Sequence, residues 1–528
     1  VSDARHDEPQ VTDASPGGTT TNPAGTPGLP GDAVPASAWR RVHPVTPALN
    51  GWKALVAVIA ILGYQASDNL GSALELLGGH GWLVALGVVV VVALVGWGWA
   101  AIAWRHMRFA VTDDAVHLHS GVLFRTQRQA RLDRLQAVDV VQPLLARLLG
   151  LAELRLEVAG GSDSAVKLAY LREPDAQALR AELLALAAGL RRPSSAAPVP
   201  AAQARTTTSV PAVPGPDGTP AAEQPVPPAA FEEAPEQEVY SVPMSRTVEA
   251  AVRSGSVVGL VLLVVGGVVT AGVARDPGVL AVLVPAFIGF VGTIWGRVNQ
   301  GAGFRAALSP DGIRLRHGLT EQRAQTLPPG RVQAVQLTQP LLWRSKDWWR
   351  VQVNVAGYGV SIGEDLNRAT VLHPVATRDE AATALWLVLP DLGVDDPRAV
   401  VEAGMDGTGT DGGFTPAPRA ARWVDPLAWR RHGVRVTRTA LLARAGRVFR
   451  RLVVVPHERT QSLGLAQGPL QRRLGLASFV VHSTPGPVSP RVNHLDGRVA
   501  AALLDEQAER ARTARRAARP EQWMRDGA

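Results

Sequence analysis

Residues 134–147 read R-L-Q-A-V-D-V-V-Q-P-L-L-A-R and residues 331–344 read R-V-Q-A-V-Q-L-T-Q-P-L-L-W-R, nine identities in fourteen positions at a shift of 197. A third copy lies at a shift of 325, where Arg459, Gln461, Gln467, Leu470 and Arg472 stand for Arg134, Gln136, Gln142, Leu145 and Arg147. Both shifts hold upstream without a gap, carrying Gly121 onto Gly318 and Gly446, and Thr112 onto Ser309 and Thr437. Gapless self-similarity of this kind marks one unit copied along the chain. Any fold proposed for the protein has to use that unit three times.

The unit is β-rich. In the first copy Val116-His-Leu-His119 alternates with period two, Leu132–Val141 is a second extended region, and Leu154, Leu156 and Val158 alternate up to Gly160-Gly161, a hairpin signal. Pro174 then opens a helix with Leu179, Leu183, Leu186 and Leu190 on one face. The second copy repeats the plan and ends in a helix from Thr377, where Thr377 and Glu380 form a capping box. The third ends in a helix expected from Asn493. Each copy therefore reads as an antiparallel β-set closed by one C-terminal helix.

Two pairs of apolar runs separate these units. Ala54–Gly63 with its flanks and Gly81–Trp104 form the first pair, and Val257–Val273 and Val279–Trp295 the second. About twenty apolar residues cross a hydrocarbon core of roughly 30 Å as a helix. Arg40, Arg41 and Lys53 precede the first pair and Arg105 and Arg108 follow it, while the intervening loop carries Asp68 and Glu75 without Lys or Arg. Cationic outer ends place both termini and all three units on the cytoplasmic face of the plasma membrane. No Asp, Glu, Lys or Arg interrupts the middle of a run, which argues against transport.

Composition narrows the chemistry. Cysteine is absent, which excludes disulfides and thiolate chemistry. The formal charge of +8 rests almost wholly on arginine, with Lys only at 53, 167 and 346, and this skew fits a GC-rich codon bias better than a nucleic-acid partner. Gly407-x-Gly409-x-x-Gly412 has no strand before it and no helix after it, so it fails as a dinucleotide site. His117 and His119 share a strand face, but the other copies place no ligands there. No nucleophile–base pair, metal set or cofactor motif recurs, and the expectation is a non-enzyme without cofactor or metal.

The recurring string, carried by Thr112, Gly121, Arg134, Gln136, Val138, Gln142, Arg147, Gly150, Leu151 and Ala152 and by Thr437, Gly446, Arg459, Gln461, Gln467, Arg472, Gly475, Leu476 and Ala477, resembles the bacterial pleckstrin-homology-like membrane protein family of the YdbS/YdbT type. The R-x-H-P opening at Arg41, His43 and Pro44 is similar to it as well. Copy two departs from the pattern, with S-K-D-W-W-R after Arg344 in place of the Gly-Leu-Ala turn. The resemblance implies an α+β protein: three PH-like antiparallel β-domains, each closed by a C-terminal helix, plus four transmembrane helices in two hairpins. The expected order is a disordered tail (1–38), hairpin one (39–105), PH-like domain 1 (106–190) and a disordered Pro/Ala linker (191–240). Hairpin two (241–300), PH-like domain 2 (301–395), a Gly/Asp linker (396–420), PH-like domain 3 (421–512) and a basic tail (513–528) follow.

Two sets of residues stand out as candidate sites. Arg134, Gln136, Arg331, Gln333, Arg459 and Gln461 recur in all three copies. They are either a recognition surface or backbone partners at a strand bend, because a fold requirement is copied as faithfully as a site. Arg125, Arg128, Arg131, Arg447, Arg450 and Arg451 are candidate membrane-proximal cations, each worth about 1 kcal/mol beside anionic lipid. The functions this leaves are a membrane scaffold for protein partners or for copies of itself, a sensor of anionic lipid head groups, and an accessory subunit of a transport or export system.

Overall fold

The computed structural model describes residues 39–46, 81–112, 114–121, 126–158, 166–187, 236–276, 279–309, 312–327, 330–356 and 371–517. The expected tail before residue 39, the first apolar run, Arg125, residues 191–235 of the Pro/Ala linker and everything past 517 lie outside them.

Strand β1 (Trp39–Arg41) precedes helix α1 (Gly81–Arg105), and β2 (Arg108–Val111), β3 (Ala115–Ser120) and β4 (Thr126–Arg131) follow it. These make a four-stranded sheet in the order β1-β2-β3-β4. A 3-10 turn at Leu132–Arg134 leads into β5 (Leu135–Pro143), the short helix α2 (Leu144–Leu148), β6 (Leu151–Val158), β7 (Val166–Arg172) and helix α3 (Glu173–Ala187). Module two repeats the order with β8 (Gln237–Ser241), helices α4 (Met244–Val252), α5 (Gly255–Ala274) and α6 (Val279–Gly301), then β9 (Arg305–Ser309), β10 (Gly312–His317), β11 (Glu321–Leu327), β12 (Val332–Pro340), β13 (Trp349–Val355), β14 (Val371–Ala376) and helix α7 (Arg378–Val388). Module three runs through helix α8 (Pro397–Asp406), β15 (Thr415–Pro416), β16 (Gly433–Val436), β17 (Ala440–Ala445), β18 (Phe449–Pro456), β19 (Ser462–Ala466), helix α9 (Pro469–Arg473), β20 (Leu476–His482), β21 (Arg491–Asp496) and helix α10 (Gly497–Ala517). Among the described residues each copy thus shows seven strands, four before the bend and three after it, and then a helix.

The copies are not separate bodies. The three-stranded half of module one and the four-stranded half of module two form one seven-stranded sheet, β7-β6-β5-β11-β10-β9-β8. The next seam repeats this as β14-β13-β12-β18-β17-β16-β15, and β19-β20-β21 end the array. Pro143 lies opposite Glu321 in the first seam, and Pro340 opposite Phe449 in the second. Both partners move by the repeat shifts, so the two seams share one register. The core follows the sheets: one apolar cluster runs from Ala137 of module one through Phe304, Trp349 and Leu385 to Leu452 and Val454 of module three.

Three expectations change here. The first strand of modules one and two lies upstream of its membrane segment, so β1 and β8 belong to the β-domains rather than to a hairpin or a linker. Trp39–Arg41 pairs with Arg108–Ala110, and the Trp104 indole, at the end of α1, donates to the Val42 carbonyl at 2.9 Å. The Gly/Asp linker is also structured. Asp396 caps α8 through its side chain, and Val400, Val401 and Met405 are buried against the shared core. Module three is therefore no tethered body; β18 is hydrogen-bonded into the sheet of module two. Finally, Asn493 lies in β21, and the closing helix starts at Gly497.

The recurring small residues have local causes. Gly121, Gly318 and Gly446 all take positive φ, at 104°, 115° and 76°. A Cβ at Gly318 would lie 1.8 Å from the Glu321 carbonyl oxygen, and one at Gly446 2.0 Å from that of Phe449; only glycine fits this turn. Thr112 and Thr437 close the preceding turn, each hydroxyl donating to a carbonyl, of Ala115 and Ala440, and accepting from the same residue's N–H. Copy two keeps its departing turn by other means: Asp347 adopts φ 49° where Gly150 and Gly475 have 64° and 66°.

Two helices among the described residues, Gly255–Ala274 and Val282–Gly301, are long and apolar enough to cross a membrane, and almost nothing of either is buried within the protein. A soluble core helix would be covered. Helix α1 has no charged residue before Arg105, and its expected partner lies outside the described residues, so the described residues hold two candidate spans rather than the four expected.

Candidate membrane-facing surface and seam cleft

The bend between the two halves of each copy holds the recurring Arg and Gln. Arg134 and Arg459 end a 3-10 turn, and Arg331 immediately precedes β12, its carbonyl accepting from the Ala356 N–H. Gln136 and Gln333 stand where the register slips in β5 and β12, which is a β-bulge. Gln333 is buried, and its amide donates to the Arg331 carbonyl at 3.2 Å. Gln461 is exposed just before β19, and its N–H donates to the His482 carbonyl. These six residues share a place in the fold, one bend per module, rather than a single surface.

A different recurrence is exposed. The turn after the bend strand carries Leu144, Leu145, Leu148 and Leu149 in module one, Leu341 and Leu342 in module two and Leu470 in module three, all solvent-facing. Core packing cannot explain leucines that lie outside the core. The turns sit beside the entries to the membrane segments. In module two, Trp343 donates to the Ala250 carbonyl at 3.1 Å, Lys346 pairs with Glu249, and Arg253 donates to Ser345; these partners belong to α4 and the junction leading into the apolar α5. In module one Val45, next to the His43 N–H bonded to the Tyr170 carbonyl, packs on Ala146 and Leu151. Module three has a short 3-10 connection, residues 417–432, between its first and second strands, where modules one and two have long apolar helices. That connection packs against Leu474 and Leu476 and presents Trp423, 67% exposed, and Leu427. The sequence signal for this surface was the Pro-Leu-Leu shared by modules one and two, which module three replaces with Gly468-Pro-Leu-Gln471; burial is what separates it from a core motif.

The candidate cations divide. Arg447 is exposed in the turn before β18, and Arg344 donates to the adjacent Val448 carbonyl at 3.4 Å. Burial, then Arg450 and Arg447, hold the Arg344 guanidinium below the usual range, so these three cations are neighbours near the Leu341 turn. Arg450 also donates to Gln339 and to Asp406. Arg131 pairs with Asp133, Arg128 lies in β4 opposite Leu118, and Arg451 lies opposite Thr338 in the second seam.

The first seam holds a cleft of about 380 Å³ lined by Gln142, Gln177, Arg305, Arg316, Gln322 and Arg323, among others. It opens next to Gly303, directly after α6. Arg316 is paired with Glu236 at 2.8 Å. In the second seam the positions of Gly303 and Arg316 are taken by Arg431 and Arg444, and the chain itself occupies that place. Arg431 donates to the carbonyls of Gly404, Met405 and Gly407, and Arg444 to those of Ala403, Gly409 and Asp411. Thus the carboxyl end of α8, where carbonyls carry partial negative charge, meets buried arginines. Burial, with Arg450 and Arg444 near by, pulls Arg431 down to about 10.

Asp425, His432 and His494 come within ligand range of one another and could hold a cation. Hydrogen bonds already engage them: Asp425 bonds His432 Nε2 at 2.8 Å and accepts from the Ala428 N–H, and the Gln471 amide lies 2.7 Å from His494 Nδ1. His432 and the Ala428 partner hold the Asp425 carboxyl below the usual carboxylate range against the opposing effect of burial.

Units that share sheets, each closed by a helix and two of them interrupted by long apolar helices, define a protein of tandem β-modules with two helices apolar and long enough to cross a membrane. A family model described as bacterial PH domain matches residues 57–187, 258–386 and 414–511, together more than half of the chain. The chain belongs to the bacterial PH domain family. No curated protein matches it, and no solved structure does.

Proposed function

We propose that this chain is a non-catalytic scaffold of the plasma membrane, with four crossings in two hairpins, both termini cytoplasmic, and three PH-like domains that gather protein partners along the inner leaflet. The observation that carries this reading is the exposed leucine turn recurring beside each membrane entry, with Trp423 and Leu427 taking the hairpin's place in module three. Apolar residues of this kind insert shallowly at an interface, and tryptophan favours that depth. An array seated in this way holds its sheet edges parallel to the bilayer, where lateral partners can reach them.

The cleft favours a second reading. Three arginines and three glutamines, set against the one carboxylate of Glu173, leave the cleft beside the end of α6 net cationic and suit an anionic head group, and the equivalent place in the second seam is filled by carbonyl oxygens. Neither reading involves nucleic acid.

Photoreactive residues at Gln177 in the cleft, at Leu148 on an exposed turn and at Gln127 on the exposed edge of β4, placed in the full chain, test both readings in native membranes. Lipid adducts at Leu148 with protein adducts at Gln127 are expected for the scaffold, and adducts to anionic lipid at Gln177 for the sensor. Adducts to neither class at any position would overturn both.

A further inference from the structure

The two seams are copies of one interface. The first pairs Val141 with Arg323 and Val140 with Ala324; the second pairs Thr338 with Arg451, Leu337 with Leu452 and Val335 with Val454. In each, the first strand after the bend in one module takes up the fourth strand of the next. Among the described residues this leaves two unmatched halves of the same interface. Strand β4 of module one holds the place of β11 and β18, and β19 of module three holds that of β5 and β12. Among the described residues, no strand pairs with the outer edge of either.

The exposed side chains show the same lack of a neighbour. Val140 and Leu337, covered in the seams, are 3% and 0% exposed, whereas Leu465 at their position in β19 is 44% exposed. Polarity does not disqualify β4. Its sequence T-Q-R-Q-A-R matches in character β11, E-Q-R-A-Q-T-L, which is paired on both edges, residues 321–324 with β5 and 323–327 with β10. Backbone hydrogen bonds supply most of such a joint, and an unpaired edge is a template for another strand.

We propose that copies of this chain join head to tail through a third seam, β19 of one copy adding to β4 of the next. The repeat shifts fix the register: Ala466 opposite Thr126, Leu465 opposite Gln127, Gly464 opposite Arg128 and Leu463 opposite Gln129. The contact is heterologous, so it propagates into a ring or a filament, and membrane anchoring confines that assembly to two dimensions. The inference rests on the scaffold reading and names its partner as a second copy of this chain.

The absence of cysteine makes the test clean. Leu465→Cys and Gln127→Cys are placed in separately tagged full-length copies, co-expressed, and oxidised mildly in native membranes. Directly opposed strand residues bring Cβ atoms within reach of a disulfide. A linked pair of unlike tags is expected, and also for Leu463→Cys with Gln129→Cys. Leu465→Cys with Arg128→Cys, whose side chains leave opposite faces, should give none. Val140→Cys with Ala324→Cys within one chain reports that the oxidation works. If that control links while neither inter-copy pair does, the head-to-tail joint is wrong. Adducts of other proteins at the β4 edge alongside that result would leave the scaffold standing without self-assembly. A linked product in all three inter-copy combinations also overturns the proposal, since it shows collision rather than register.

Discussion

Arg450 donates a hydrogen bond to the Gln339 side chain at 3.1 Å, across a seam that joins residues 111 positions apart. Gln339 is fully buried and donates in turn to Asp347, while Asp406 of α8 accepts from both Arg450 and Arg378. With the further pair of Arg378 and Asp347, three carboxylate–guanidinium pairs lock the closing helix of module two, the helix once expected to be a linker, and the first strands of module three. Asp406→Ala leaves two arginines facing each other without their acceptor. A loss of about 1–3 kcal/mol is expected, read as a lower thermal midpoint of the detergent-solubilised chain. Unchanged stability would mean that the network is ornamental.

Gly318→Ala forces a Cβ onto a carbonyl oxygen at a φ of 115°. The cost should reach at least about 2 kcal/mol, and because that turn starts β11 the damage falls on the first seam. Hydrogen exchange should rise in β5 and β11 together. Gly289→Ala, with nothing within 4 Å of its new methyl, should stay within about 0.5 kcal/mol.

His373 supplies a pH dependence. It is fully buried, stacked on Tyr240 at 4.6 Å and near Phe304. Burial, opposed by Glu380 and reinforced by Arg246, pulls its imidazole down to about 4. An unfolded histidine titrates near 6.5. Above that pH the ring is neutral in both states and its contribution is whole. Between 6.5 and 4 the unfolded chain binds a proton that the folded chain refuses, so stability falls as acid is added, by about 2–4 kcal/mol in full. Thermal midpoints taken from pH 7 down to pH 4 should drop less steeply in His373→Gln, which cannot take up that proton.

The membrane seat of module three is testable one residue at a time. A polarity-sensitive dye on Leu427→Cys should report an apolar environment in vesicles, and a dye on Arg498→Cys, on the exposed face of α10, an aqueous one. Equal, water-like emission from both would detach module three from the bilayer.

The sequence disclosed what is local. Gly121 and its copies mark a turn closed to any side chain, Thr112 and Thr437 mark another, and the Thr377–Glu380 capping box begins α7 where expected. Hydropathy located α5 and α6. The seams stayed hidden because a strand's composition does not name its partner: β5 pairs with β6 beside it in sequence and equally with β11, nearly two hundred residues on. Strand β1 was hidden for a related reason, since three residues next to a polar tail carry no periodicity and their partner lies beyond the membrane segment. Helix α8 was missed because its flanking glycines and aspartates imitate a linker, while the buried Val400, Val401 and Met405 that hold it follow from tertiary packing. The recurring Arg134 and Gln136 could be read in two ways, and their position at a bulge gives repetition a local geometric cause without excluding recognition.

The placement of β1 before the first membrane segment, and of β8 before the second, bears on biogenesis. Neither four-stranded half can be completed until the intervening apolar segment has left the ribosome, so β1 and β8 wait for partners that are made later. On the membrane reading proposed above, a chain whose insertion stalls would leave those first strands open to proteases, and the modules would mature only once the anchor is in place.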